Sequence, residues 1–354
     1  MKDKIIVFIF IGYIMLFSVT HIILKDEKIS SSERRTLTSF PAFKLSGEYI
    51  TDVDKYLLDH FPLRDSFRSL KANFNYHILQ KLDNNDIYLK DNYIFKSEYP
   101  TNKKSIEKFI NNTNKLKDMF NKNNKVYMLA IPDKNYYLEE DNFLQLDYNY
   151  VYNQLDTLKL NMIDIRDIMN IRDYYETDTH WRQEHLDKVV KELDKHMNFG
   201  YREQEYTKNN FNKFYGVYYG ESAINRKPEN LVYLTNDIIN NAEVSYLENS
   251  KLNTVYNEDN LESLDAYEVY LDGASSFIEI KNNNSNTKKE LIIFRDSFGS
   301  SITPLLIPYY SKITLIDNRY INSDNFLKFI KFNNQDVLFI YSTLIINNSF
   351  SLKG

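Results

Sequence analysis

From Ile5 to Leu24 the chain carries no formal charge. IIVFIFIGYIMLFSVTHIIL lies as one apolar run between MKDK and KDEK. Twenty helical residues reach about 30 Å, the thickness of a bilayer's hydrocarbon core. Secretory signals have shorter apolar centres and end at a small-residue cleavage site, and nothing after Leu24 resembles A-x-A. Residues 1–25 are therefore expected to be an uncleaved membrane anchor, with a cleaved signal as the alternative. Lys2 and Lys4 precede the run and Lys25, Lys28, Arg34 and Arg35 follow it, so the positive-inside rule gives no orientation. Residues 26–48 are polar with one Pro and read as a stalk or linker.

From Tyr49 to Leu82 apolar residues recur at helical spacing. HFPLRD interrupts them, and Pro62 is expected to end one helix and start another. DIYLKDNYIFK alternates about a KDN turn and reads as a hairpin. Ile106, Phe109, Leu116 and Phe120 mark a further amphipathic helix. The rhythm then becomes strand, helix, strand. KVYMLAI (125–131) is a short apolar run ending at Pro132, as a buried strand would be. YNYVYNQLDTLKL reads as a helix and MIDI as a second strand. Leu186, Val189, Val190, Leu193 and Met197 make an amphipathic helix just after DTHW.

Between about 200 and 285, short alternating pieces (LVYL, AYEVYL, SFIEIK) separated by turns read as an insertion of strands and loops. The α/β rhythm then returns: ELIIF, KITLI and DVLFIY as strands, with SFGSSITPLLIPYY and SDNFLKFIKF as helices. Strands alternating with helices predict a mainly parallel sheet between helical layers. The expected organisation is an anchor at 1–25, a linker at 26–48 and one α/β domain over 49–354.

Composition narrows the chemistry. The 354 residues are 26% charged and 43% hydrophobic, with a formal net charge of −5, so there is no basic footprint for nucleic acid. Cysteine is absent, which excludes thiolate metal sites, disulfides and Cys nucleophiles. Tyr (29) and Phe (23) are plentiful, as core packing or as sugar-binding surface.

Two stretches stand out. YYETDTHWRQEH (174–185) sets Asp178 two residues before His180 and next to the only Trp. In an extended or turn segment, residues i and i+2 point the same way. Asp178 can then orient one nitrogen of His180 while the other faces a nucleophile. Asp178 or Thr179 as cap of the following helix is the alternative. LIIFRDSFGSS (291–301) has the shape of a buried strand turning into a helix, where a nucleophile is lifted from the sheet beside free backbone N–H groups. Ser297 is the candidate; Asp296 or Ser297 acting only as helix cap is the competing reading. Of the other histidines, His21 lies in the anchor, His77 and His196 in helical patterns, and His60 in the FPLRD segment. His180, Glu184 and His185 together suggest a metal set, but zinc-binding helices space their two His at i, i+4, and these are five apart.

DTHW followed by FRDSF resembles the DHHW-type proteins of the alginate O-acetyltransferase-like, SGNH-hydrolase-like group. ERRTL, FPLRD, AIPDKNYY and DNRY extend the resemblance over about residues 31–345. It implies an SGNH-hydrolase-like three-layer α/β/α sandwich behind an N-terminal transmembrane helix, with the domain extracytoplasmic. It also implies a triad of Ser297, His180 and Asp178 and O-acetylation of an exported polysaccharide; no cofactor and no metal is expected. The acetyl group would come from a membrane-bound acyltransferase of the MBOAT type. Thr179 stands where DHHW has His, as in the alginate branch. Arg295 replaces the Gly of the SGNH GDS block, and no separate Gly and Asn oxyanion donors are evident. Arg295, Arg319 and Tyr320 are candidate oxyanion or substrate residues, with an Asp317–Arg319 ion pair as the alternative. An esterase with the same triad and a non-catalytic, membrane-tethered polysaccharide-binding scaffold are the other functional readings.

Overall fold

The computed structural model describes residues 2–138 and 143–353. It divides into two units, one of the N-terminal 85 residues with Tyr219–Arg226, the other of Asp86–Tyr218 with Lys227–Gly354.

The first unit is helical. Helix α1 (Lys2–Ile23) carries a 21-residue stretch, Asp3–Ile23, with a mean hydropathy of 2.4, long and apolar enough to cross a membrane. Helix α2 (Gly47–Asp59) starts where the Ser46 side chain accepts from the Tyr49 N–H. It stops before Pro62, and α3 (Arg64–Asn73) follows and runs into a π-turn at Phe74–Ile78. The stretch between α1 and α2 is tied to these helices by charge. Glu33 takes Arg35, Arg64 and Arg68, and Asp59 takes Arg35 together with the N–H and hydroxyl of Thr38.

The second unit is built on seven strands: β1 (Lys125–Ile131), β2 (Asn161–Ile163), β3 (Glu243–Tyr246), β4 (Phe277–Lys281), β5 (Glu290–Arg295), β6 (Lys312–Ile316) and β7 (Asp336–Ser342). Their order is β3-β4-β6-β5-β7-β1-β2. The five from β6 to β2 are parallel, and β4 and β3 add antiparallel at one edge. Side chains alternate across the sheet. Leu129, Ile131, Ile293, Leu338 and Ile340 face one core with α6 (Asp187–Met197) and α7 (Ser297–Leu306). Met128, Ala130, Ile292, Phe294 and Phe339 face the other, with α4 (Lys103–Lys117) and α5 (Tyr148–Leu155). This is the three-layer α/β/α sandwich with a mainly parallel sheet that the strand–helix rhythm predicts.

The hairpin Ile87–Lys90/Tyr93–Lys96 forms as the alternation implies. Two other expectations fail for local reasons. AYEVYL is no strand: Asp265 accepts from the Tyr267 N–H, and Ala266–Val269 closes into a 3₁₀ turn. SDNFLKFIKF is helical only over Ser323–Phe326, beyond which successive turns bury Phe326 and Ile330 without a continuous helix. SFIEIK (β4) is an edge of the main sheet, while LVYL pairs in a separate ladder, Thr207–Phe214 with Glu229–Thr235.

Candidate active site

Parallel strands deliver their C-terminal ends to one rim, and in open α/β sheets the rim between such strands is where ligands bind. β5 ends at Arg295, and Asp296 caps α7: its side chain accepts from the Phe298 N–H at 3.0 Å. The other carboxylate oxygen accepts from the N–H and hydroxyl of Ser342 at the end of β7, both at 2.7 Å. Capping thus falls to Asp296, and Ser297 Oγ is left for another partner. Ser297 is only half-buried.

That partner is His180. Its Nε2 lies 2.7 Å from Ser297 Oγ, and its Nδ1 lies 2.6 Å from Asp178 Oδ1. The same carboxylate accepts from the backbone N–H of His180 at 3.0 Å and, through Oδ2, from that of Val217 at 2.8 Å. Burial pushes the Asp178 carboxyl up, but the His180 ring and these two N–H groups outweigh it and hold it well below the usual range. With Asp178 ionised, the proton on Nδ1 is fixed and Nε2 is the acceptor for the Ser297 hydroxyl.

The loop carrying Asp178 and His180 is a tight excursion. Tyr174 and Trp181 form an antiparallel bridge across its neck, and the Tyr175 N–H donates to the His180 carbonyl at 3.1 Å. Neither Asp178 nor Thr179 caps the following helix, because the 3₁₀ turn Gln183–His185 begins the helical segment and Asp178 is committed elsewhere. Glu229 accepts from the N–H groups of Glu176 and Thr177, both at 2.7 Å, and pairs with Arg182 at 2.6 Å. From beneath, the Lys134 ammonium donates to the carbonyls of Tyr175, Glu176 and Asp178 at 3.2, 3.1 and 2.7 Å. Burial pushes this lysine down to about 7. Trp181 Nε1 donates to the Phe298 carbonyl and to Ser301 Oγ, fastening the loop to α7 on the side of Ser297.

Glycine is required at Gly216, where a Cβ would stand 2.2 Å from the carbonyl carbon and oxygen of Thr177. The close approach lets the neighbouring Val217 N–H reach Asp178.

One backbone donor at the start of α7 completes the arrangement. The first N–H groups of a helix lack intrahelical acceptors. Phe298 and Gly299 give theirs to Asp296, whereas the Ser297 N–H has no partner among the described residues.

The other candidates gather around a different residue. Arg295 has no exposed surface. It donates to Ser300 Oγ and to the carbonyls of Ser275 and Gly273, and lies 3.5 Å from Asp317. Burial pulls its guanidinium down, and Asp317 opposes that. Arg319 forms a forked pair with the same Asp317, at 2.9 Å through Nε and 2.6 Å through Nη2. Tyr320 is 45% exposed, with the Arg319 guanidinium 5.3 Å from its ring centre. None of their hydrogen bonds among the described residues reaches Ser297, His180 or Asp178. The metal set does not converge either: His185 turns to Asp173 at 3.4 Å while His180 turns to Ser297.

Sequence reasoning missed Lys134, Glu229, Gly216 and Tyr267. Lys134 alone carried a signal, a charge placed directly after a buried strand in AIPDK.

No family model matches the chain, and no curated protein does. Solved structures do match. A DHHW family protein from Eubacterium siraeum superposes with a TM-score of 0.64 at 17% identity, covering 77% of this chain and 97% of that one. The chain has the fold of a DHHW family protein. PatB1 from Bacillus cereus, in a structure with a sulfonyl adduct, superposes at 0.60 with 18% identity, covering 76% of this chain and 98% of that one.

Proposed function

We propose that this chain is an O-acetyltransferase that carries an acetyl group through Ser297 to hydroxyls of an exported or cell-surface polysaccharide. The observation that carries the reading is the Asp178–His180–Ser297 relay, 2.6 and 2.7 Å long, at a strand-to-helix turn. Serine is a weak nucleophile until a base takes its proton. In the proposed reaction Ser297 Oγ attacks the acetyl carbonyl and its proton passes to His180 Nε2. The oxyanion forms beside the unpartnered Ser297 N–H. Collapse expels the donor's leaving group with that proton and leaves acetyl-Ser297. A sugar hydroxyl then gives its proton to Nε2 and attacks the acetyl carbon; the Ser297 Oγ–C bond breaks, Oγ takes the proton back from Nε2, and the acetylated sugar leaves. Asp178 keeps the imidazole in the right tautomer and balances its charge.

In this reading α1 spans the membrane as a single-pass anchor with the second unit extracytoplasmic. A membrane-bound acyltransferase of the MBOAT type supplies the acetyl groups. Water as acceptor would make the same machinery an esterase. Arg295 and Arg319 belong to a structural cluster about Asp317; Arg295 offers no surface to a substrate, Arg319 little and Tyr320 the most.

The test is mass spectrometry of the full chain in detergent after incubation with a chromogenic acetyl ester, with and without a sugar acceptor. The expected result is an acetyl adduct on Ser297, lost in His180→Ala, with turnover raised and acetyl sugar formed when acceptor is present. Turnover without acetyl sugar makes the protein an esterase. No adduct and no turnover, with a sulfonyl fluoride also failing to mark Ser297, favours a tethered polysaccharide-binding scaffold.

A further inference from the structure

Helix α3 and the π-turn after it carry an apolar stripe that is largely exposed, with only Phe67 partly covered by Phe17 and Phe61 of the same unit. Phe67, Leu70, Phe74 and Ile78 recur at the spacing of one helical face with Leu63 at the N-cap before it, and Leu63, Leu70 and Ile78 are 69, 64 and 67% exposed. The neighbouring polar groups are occupied: Arg64 and Arg68 pair with Glu33, and Asn75 donates to Asn84 at 2.8 Å. The stripe is therefore a face in its own right, and a soluble surface seldom shows so many large apolar side chains together.

Its place beside α1 says what covers it. Phe17 of α1 stacks on Phe61 with ring centres 5.2 Å apart and lies 5.9 Å from Phe67, itself a member of the stripe. His21 Nδ1 donates to the His60 carbonyl at 3.0 Å and fixes the same corner. Phe17 is six residues before the end of α1, so its ring contacts lie about 9 Å along the axis from the helix's C-terminal end. A helix that spans a bilayer up to Ile23 brings whatever packs on Phe17 to acyl-chain depth at that end.

We propose that this stripe is a second, monotopic membrane contact, seated in the acyl–headgroup boundary of the leaflet at the C-terminal end of α1. The proposal rests on the reading that α1 spans the bilayer. The first unit is then held at two places, by a spanning helix and by a helix lying in the interface with its apolar face down. Continuity with the apolar surface of α1 favours lipid as the occupant over a partner protein's helix.

The absence of cysteine makes the test direct. Single substitutions Ile14→Cys, Leu70→Cys, Ile78→Cys and Asn123→Cys in the full chain each receive a spin label, in phosphatidylcholine proteoliposomes that hold this chain alone. Accessibility to oxygen and to a water-soluble nickel chelate reports depth. The expected result is an oxygen-to-nickel ratio at 70 and 78 several-fold above that at 123, as at 14. A ratio at 70 and 78 equal to that at 123, or shielding from both reagents by chain self-association, overturns the proposal while leaving the spanning reading intact. A water-like ratio at 14 overturns the spanning reading, and the proposal falls with it.

Discussion

Tyr267 lies flat on His180, ring centres 3.8 Å apart and planes 8° from parallel. The phenol is buried and its hydroxyl donates to Ser301 Oγ at 2.8 Å, the same oxygen that receives Trp181 Nε1. One side of the imidazole is thus walled by an aromatic ring anchored through α7. Tyr267→Phe keeps the wall and loses one neutral hydrogen bond. Its stability should fall by about 1 kcal/mol with kcat nearly unchanged. Tyr267→Ala removes the wall and opens a cavity. Stability should fall by about 3–5 kcal/mol, and kcat on the acetyl ester should drop on the order of a hundredfold as the ring loses its orientation. Equal kcat in the two variants would show that the stack does not position His180.

Replacing the relay itself should be costlier and leave the fold intact. Ser297→Ala and His180→Ala should each lower kcat by on the order of 10⁴ to 10⁶. Asp178→Asn should cost on the order of 10⁴ for a reason visible in its contacts. Oδ1 accepts from His180 and Oδ2 from the Val217 N–H, and an amide has only one acceptor atom. Either Val217 loses its partner, or an NH2 meets Nδ1 and imposes the wrong tautomer. Ester turnover and circular dichroism on the same samples check both halves of the expectation.

The fold was legible because its signals are local. Ile-, Leu- and Phe-rich runs such as LIIF and KITLI bury on both faces of the sheet, so they read as strands at any distance. The same held for the Asp178-x-His180 spacing and for the turn after Phe294. Asp296 as cap was undecidable from sequence, since both Asp and Ser are favoured there and only the Ser342 contacts of the folded chain separate them. AYEVYL misled because its alternation mimics a strand while Asp265 closes a turn. Tyr267 and Glu229 reach the His180 loop from 87 and 49 positions beyond His180, and no periodicity encodes such contacts.

Gly216 offers a test of how closely the loop is held. A Cβ there would overlap the Thr177 carbonyl, which is backbone and cannot swing aside. Gly216→Ala should displace Thr177 and Asp178 together, costing about 1–3 kcal/mol of stability and lowering kcat more than KM. Unchanged kcat with lowered stability would separate the close approach from the catalytic geometry.

Lys134 joins stability to pH. In the folded chain burial pushes its ammonium down to about 7, while an unfolded lysine titrates at roughly 10.4. Below about 7 both states carry the proton, and the cost of burying the charge is constant. Between the two values the unfolded chain holds a proton that the folded chain has released, so stability rises with pH. Lys134→Met has no such group and serves as the reference, all other titrations being shared. The urea midpoint of the wild type should therefore gain on that of Lys134→Met as pH rises from 7 to 9, and the difference should be flat below 7. The three carbonyls pull the other way, because a neutral amine can donate only two hydrogen bonds to the oxygens of Tyr175, Glu176 and Asp178. A wild-type advantage that shrinks over the same window would mean that these acceptors outweigh burial and that the loop under His180 is held by a permanently charged lysine.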